Sequence, residues 1–197
     1  MAPVVQYWMQ PNMELSTAER ARRAGEMCAV GFWPEVLAFA QKWQADDPND
    51  HRALYFIGRG LSGMGQPAQA EKFFRRAVAM EPTDFAIWLQ LAELLAKDLR
   101  RPADGIRCLK QALKINPWHK LGWLRLATMA GDLGHHDQAL EYAERAIMLD
   151  PQMVEAYLHK AAAARALGRM DVVHAVDRQL AVLAPGKFQP EQFQPAS

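Results

Sequence analysis

Apolar residues recur along this chain in steps of three and four, with small ones set among large. Over residues 51–84 they fall at Leu54, Ile57, Gly58 and Leu61, and then, beyond Gly65, at Ala70, Phe74 and Ala77. Each group occupies one face of a helix with 3.6 residues per turn, so the stretch predicts two amphipathic helices joined by a turn at Gly65. Pro82 closes the pair, because a residue with no N–H and a fixed φ stops a helix.

The same proline returns as a clock. Pro48, Pro82, Pro117, Pro151 and Pro185 are separated by 34, 35, 34 and 34 residues, which divides the chain into units 17–50, 51–84, 85–119, 120–153 and 154–187. With the proline at position 32, unit 85–119 supplies Trp88, Leu91, Ala92, Leu95, Leu109 and Ala112, and unit 120–153 supplies Trp123, Leu126, Ala127, Gly134, Ala139 and Ala146. The outer copies are weaker. Unit 17–50 keeps Ala24, Gly31 and Pro48 but has Arg20 and Trp43 in slots for a large apolar residue and an alanine; unit 154–187 keeps Tyr157, Ala161, Gly168 and Pro185 but has Val173 and Asp177 where alanine and an aromatic are usual. The extra residue of the 35-residue step is expected in the turn from Arg100 to Gly105. A hairpin of this kind cannot bury its apolar face alone, so neighbouring hairpins must bury it, with Gly58, Ala70, Ala77, Ala139 and Ala146 where helices cross closely.

On these residues the chain resembles the tetratricopeptide repeat family, whose 34-residue units are helix-turn-helix pairs. The resemblance implies an all-α, right-handed α-solenoid of about five units over 17–187. Residues 1–16 form an N-terminal tail or cap, and residues 188–197 a flexible C-terminal tail. In the first segment Val4, Val5, Tyr7 and Trp8 either pack over the first repeat or supply a dimer contact. In the second, Phe188-Gln-Pro190 and Phe193-Gln-Pro195 either fray or dock on a partner or a neighbouring copy.

Charge and candidate chemistry narrow the function. A formal net charge of +1 gives a nucleic-acid partner no electrostatic support, and Arg20, Arg22, Arg23, Arg100 and Arg101 read as solvated surface. Cys28 and Cys108 occupy different slots two repeats apart, which argues against a disulfide framework and fits a reducing compartment. The N-terminal stretch has no basic region before an apolar core, so neither a signal peptide nor membrane insertion is expected, and the cytoplasm is the default. His135-His136-Asp137 lacks a further ligand at metal spacing, and no nucleophile–base motif is evident, so the chain is expected to be no enzyme and to hold no metal or cofactor.

What the resemblance does imply is a concave groove lined by first helices, at positions 2, 5, 6, 9, 12 and 13. These are Arg52, Tyr55, Phe56, Arg59 and Ser62; Leu89, Gln90, Glu93 and Lys97; Leu121, Leu124, Arg125, Thr128 and Asp132; and Glu155, Leu158, His159 and Arg165. Apolar anchors mixed with arginines suit a protein-binding surface, although Phe56 and the leucines also suit packing between repeats. Some family members grip a C-terminal carboxylate with Lys and Asn at positions 5 and 9, Asn at position 6 of the next repeat, and Lys and Arg at positions 2 and 6 of the third. Here Tyr55, Arg59, Gln90 and Leu121 depart from that pattern and only Arg125 matches, so binding of chaperone tails is not expected. Arg59 and Arg125 remain suited to carboxylates of an internal acidic-apolar segment. The expected function is a non-enzymatic scaffold that holds a peptide or helix of another protein. The alternatives are a small secretion chaperone of the same family, masking apolar client segments, and a self-assembling structural module that forms homo-oligomers.

Overall fold

The computed structural model describes residues 15–185, which contain ten α-helices and no strand among them. The helices are α1 (Thr17–Ala29), α2 (Trp33–Asp46), α3 (His51–Gly63), α4 (Pro67–Met80), α5 (Phe85–Glu93), α6 (Pro102–Ile115), α7 (Lys120–Asp132), α8 (His136–Leu149), α9 (Val154–Ala166) and α10 (Met170–Leu183). Every first helix begins at position 1 of its repeat, so the proline frame located both helices of each hairpin. The tail residues Val4 to Trp8 and Phe188 to Pro195 lie outside the described residues. By compactness the chain divides between Arg100 and Arg101. The first unit holds α1 to α5, and the second holds α6 to α10.

Local chemistry sets the boundaries. At position 31 of the first four repeats an acid or amide ends the second helix and folds over the proline that follows: Asp47, Glu81, Asn116 and Asp150 each accept the backbone N–H of the residue two further on, at 3.1–3.2 Å. The proline has no N–H to compete for that acceptor. Three residues past the acid, Asp50 and Asp84 cap the next helix by accepting from Arg52 and Ala86 at 3.0 and 2.8 Å. Ser16 and Glu19 form a reciprocal capping box at the start of α1. Within hairpins, Gly31, Gly65, Gly134 and Gly168 take positive φ, where a side chain would be strained. Pro34, Pro67 and Pro102 then stand in the first two positions of α2, α4 and α6, where a missing N–H costs nothing.

The third repeat corrects one expectation. Its hairpin turn, Leu99-Arg100-Arg101, is three residues long, as is Met64-Gly65-Gln66, so the extra residue is not in the turn. It lies in the first helix, where Leu94–Asp98 follow α5 as a single π-helical turn. One residue inserted into an α-helix is absorbed in this way. Both Leu94 and Leu95 are buried as a result. Arg100 then occupies the positive-φ slot, with φ of 54°, that the other four turns give to glycine.

The core follows the repeat positions. Ala24, Gly58, Ala92, Ala127 and Ala161, all at position 8, are buried, as are the small residues Ala70, Ala77, Ala139 and Ala146. A Cβ added at Gly58 would stand 2.8 Å from the Phe74 ring, so the glycine is there to admit that ring. The weak first repeat keeps its packing by exchange. Ala40 and Trp43 take the slots that hold Phe74 and Ala77 in the second repeat, and all four are buried. In the last repeat Val173 and Leu180 are buried in the same manner, while Lys160, at a core slot, reaches Glu144 at 2.9 Å.

Candidate functional site

First helices present the candidate residues, and each unit carries its own set. In the first unit α1 and α3 lie side by side. Tyr55 and Arg59 are one turn apart on α3, which lets the Arg59 guanidinium donate to the Tyr55 hydroxyl at 3.1 Å and lie 5.9 Å from the ring centre. The Tyr55 ring is in turn held against Phe56 and Phe74, at centroid distances of 5.0 and 6.0 Å. Burial pushes the Tyr55 hydroxyl above its ordinary pKa, and the Arg59 charge opposes that shift. Cys28 of α1 shows the same opposition, with its thiol raised by burial and lowered by Arg59. Arg52 is exposed, and Ser62 is half-buried.

Phe56 does not belong to this surface. It is 7% exposed and stacks on Trp43 at 6.1 Å, joining the first repeat to the second, so its place is in the core. On α5, Leu89, Gln90 and Glu93 are half-buried, and the Gln90 amide donates to Glu93 at 3.1 Å. The π-turn moves Lys97 from position 13 to position 12, where it is exposed.

In the second unit α7 and α9 are the neighbouring first helices. Thr128 on α7 and His159 on α9 are joined at 3.0 Å, and Thr128 also donates to the Leu124 carbonyl at 3.1 Å. With its proton on that carbonyl, the Thr128 oxygen is left to accept from His159 Nε2. Positions 9 and 6 of consecutive repeats therefore meet, which puts the two helix faces on one surface. Leu121 and Leu158 are exposed on it, at 47% and 40%. Leu124 is half-buried and packs on the cluster of Ala146, Met153 and Ala156. Arg125 is half-buried, and desolvation lowers its guanidinium pKa. Asp132, Glu155 and Arg165 are exposed at the margins.

Some of what the structure shows was outside the sequence reading. Cys28 reaches the neighbourhood of Arg59 because position 12 of one repeat faces position 9 of the next; applying the groove positions to the first repeat would have found it. Trp118, between Pro117 and α7, is 78% exposed, and nothing in the spacing marked it. His135, His136 and Asp137 begin α8. Among the described residues no three His, Cys, Asp or Glu side chains gather as a metal-holding group, and no helix is long and apolar enough to cross a membrane.

Comparisons with known proteins agree with the repeat fold. Tetratricopeptide repeat family models match residues 52–94 and 124–172. Among solved structures, MamA is 19% identical, with 89% of this chain and 98% of that one covered at a TM-score of 0.72. YrrB, described as a TPR protein with an unusual peptide-binding site, is 17% identical, with 98% of each chain covered at 0.74. MamA from Desulfovibrio magneticus RS-1, from its residue 41 to its end, is 16% identical, with 91% and 100% covered at 0.68. These likenesses establish an all-α helical-repeat solenoid. No curated protein matches the chain.

Proposed function

Since the chain belongs to the tetratricopeptide repeat family of protein-interaction scaffolds, we propose that it holds a peptide or helical segment of another protein against the first-helix faces of its repeats, without catalysis. The observation that carries this reading is the joined α7–α9 surface. Leu121 and Leu158 stand exposed beside the Thr128–His159 hydrogen bond, and water-exposed leucines on an ordered two-helix platform gain by being covered. Tyr55 supports it from the first unit, since an aromatic ring fixed by its neighbours is a low-entropy anchor. YrrB, with its peptide-binding site, supplies a precedent on the same fold.

Site-specific photocrosslinking tests the reading. A benzoylphenylalanine in place of Tyr55, Leu121 or Leu158 is expected to label a common partner in cells. The same probe in place of Lys72 or Arg178, on exposed second-helix positions, is expected to leave it unlabelled. Equal labelling from both sets would sink the proposal.

A further inference from the structure

Among the described residues of the first unit, one cation stands without a counter-charge. Arg59 is half-buried, and its contacts are with Tyr55: the hydroxyl takes one N–H, and the ring lies beneath the guanidinium. Among the described residues no carboxylate lies within ion-pair distance of it. Several of its fellow charges on this face are otherwise engaged or also positive. Arg22 of α1 is neutralised by Glu26 at 2.6 Å, and Glu93 of α5 accepts from Gln90. Arg52, Arg59 and Lys97 against Glu93 and Asp98 leave the groove positions of α3, α5 and the π-turn with a surplus of one positive charge.

Space adjoins the charge. The corresponding positions of α1 include Ala18, Ala21 and Gly25, and at the last two every other repeat carries a larger side chain. A methyl group added at Gly25 would meet no atom within 4 Å. Small residues on α1 thus stand beside the Tyr55–Arg59 pair of α3, with Cys28 close enough to feel the arginine's charge. The Tyr55 hydroxyl holds one arm of the guanidinium fork, and its remaining N–H groups suit the two oxygens of a carboxylate.

We infer that the segment held by the first unit is acidic, and that one of its Asp or Glu carboxylates docks on Arg59 while an adjacent apolar side chain lies over the small-residue face of α1. This rests on the first-helix reading above and narrows it to a partner of stated chemistry. Tyr55 is a positioning residue for Arg59. The pair differs from the family's carboxylate-gripping pattern in both residue types, and its ligand is a side chain within a segment.

Two pools of acetylated, amidated 12-residue peptides test this, so that no terminal charge contributes. Both draw their variable positions from Ala, Leu, Phe and Ser, one with two fixed Glu and the other with two fixed Gln. By fluorescence anisotropy at low salt the Glu pool is expected to bind the whole protein about ten-fold more tightly, the scale of one charge-assisted hydrogen-bonded contact. Arg59→Gln should bring the two pools together. Arg59→Lys should keep part of the preference, a point charge replacing a fork. Tyr55→Phe, which removes only the hydroxyl, should shrink the preference and serves as the second variant should Arg59→Gln fail to fold.

A preference that survives Arg59→Gln, or Tyr55→Phe where that variant must stand in, overturns the inference. Equal binding of both pools by the wild type, lost in Tyr55→Ala, overturns acid selectivity while leaving the first-helix reading intact. Binding of neither pool overturns the inference, and the crosslinking result then decides separately on the reading beneath it.

Discussion

The indole Nε1 of Trp88 donates to the carbonyl of Pro82 at 2.8 Å, and Trp123 makes the same bond to Pro117 at the same distance. Position 4 of one repeat is thereby tied to the proline that ends the repeat before it. The proline does two things: its ring stops a helix, and its carbonyl, in the turn just past the helix end, receives the next repeat. Trp88→Phe keeps most of the apolar contact and removes the donor, so a loss of about 1 kcal/mol is expected in urea unfolding. An unchanged midpoint would show that water replaces the indole at no cost.

Arg100 holds a backbone conformation that the other four hairpin turns assign to glycine. A left-handed conformation costs a residue with a Cβ about 1–2 kcal/mol. Arg100→Gly is therefore expected to stabilise the protein by about 1 kcal/mol, somewhat reduced by the greater freedom of glycine in the unfolded chain. The readout is the denaturant midpoint, and a fall in stability would mean that the Arg100 side chain contributes more than its backbone strain removes.

Deleting a residue distinguishes the π-turn from the hairpin turn as the place of the insertion. Removal of Ala96 should restore a 34-residue repeat with an α-helical first helix and leave helix content and cooperativity unchanged. Removal of Arg101 should shorten a turn that already has its normal length, at an added cost of roughly 2 kcal/mol or more. The opposite ranking in circular-dichroism melts would return the insertion to the turn.

How far the sequence reached follows from what each feature depends on. The prolines, the turn glycines and the small residues at position 8 are local requirements, so they mark helix ends and crossings without a structure. Compensation between elements is not local. Trp43 looks wrong for an alanine slot until Ala40 is seen to give up the volume one turn earlier, and Phe56 counts as surface by position until Trp43 is found stacked on it. The place of the insertion is likewise not a local property. Proline spacing counts residues but does not say which hydrogen bonds lengthen, so the 35-residue step alone does not separate the turn from the first helix. For the site, position predicted that Thr128 and His159 share a face, while the Tyr55–Arg59 bond and the open space at Gly25 depend on side-chain placement.

Gly58 tests the crossing of α3 and α4 within the second repeat. A Cβ there would lie 2.8–3.0 Å from three atoms of the Phe74 ring, itself fully buried. Gly58→Ala improves helix propensity by up to about 1 kcal/mol, yet overpacking of this kind costs roughly 1–3 kcal/mol, so net destabilisation is expected. Phe74→Leu in the Gly58→Ala background should recover part of the loss, whereas in the wild type it should be destabilising. Simple additivity of the two changes in a double-mutant cycle would contradict the contact.

His119 makes the stability of the second unit sensitive to pH near neutrality. It caps α7 by accepting the Gly122 N–H on Nδ1 at 3.0 Å, which only the unprotonated nitrogen can do. Burial lowers its pKa below the usual 6.5, so on acidification the unfolded chain takes up its proton before the folded one. The stabilisation from this group is therefore fully present above about pH 6.5 and is lost as pH falls from there through the lower, folded-state value. Asp50 and Asp84 fill the same position in earlier repeats and cap through a carboxylate oxygen. His119→Asp should thus match or exceed wild-type stability and exceed it by a growing margin between pH 7.5 and 5.5. The measurement is the difference in urea midpoint between the two proteins across that interval, in which the remaining histidines cancel. A difference that stays constant with pH would show that the imidazole cap does not titrate with folding.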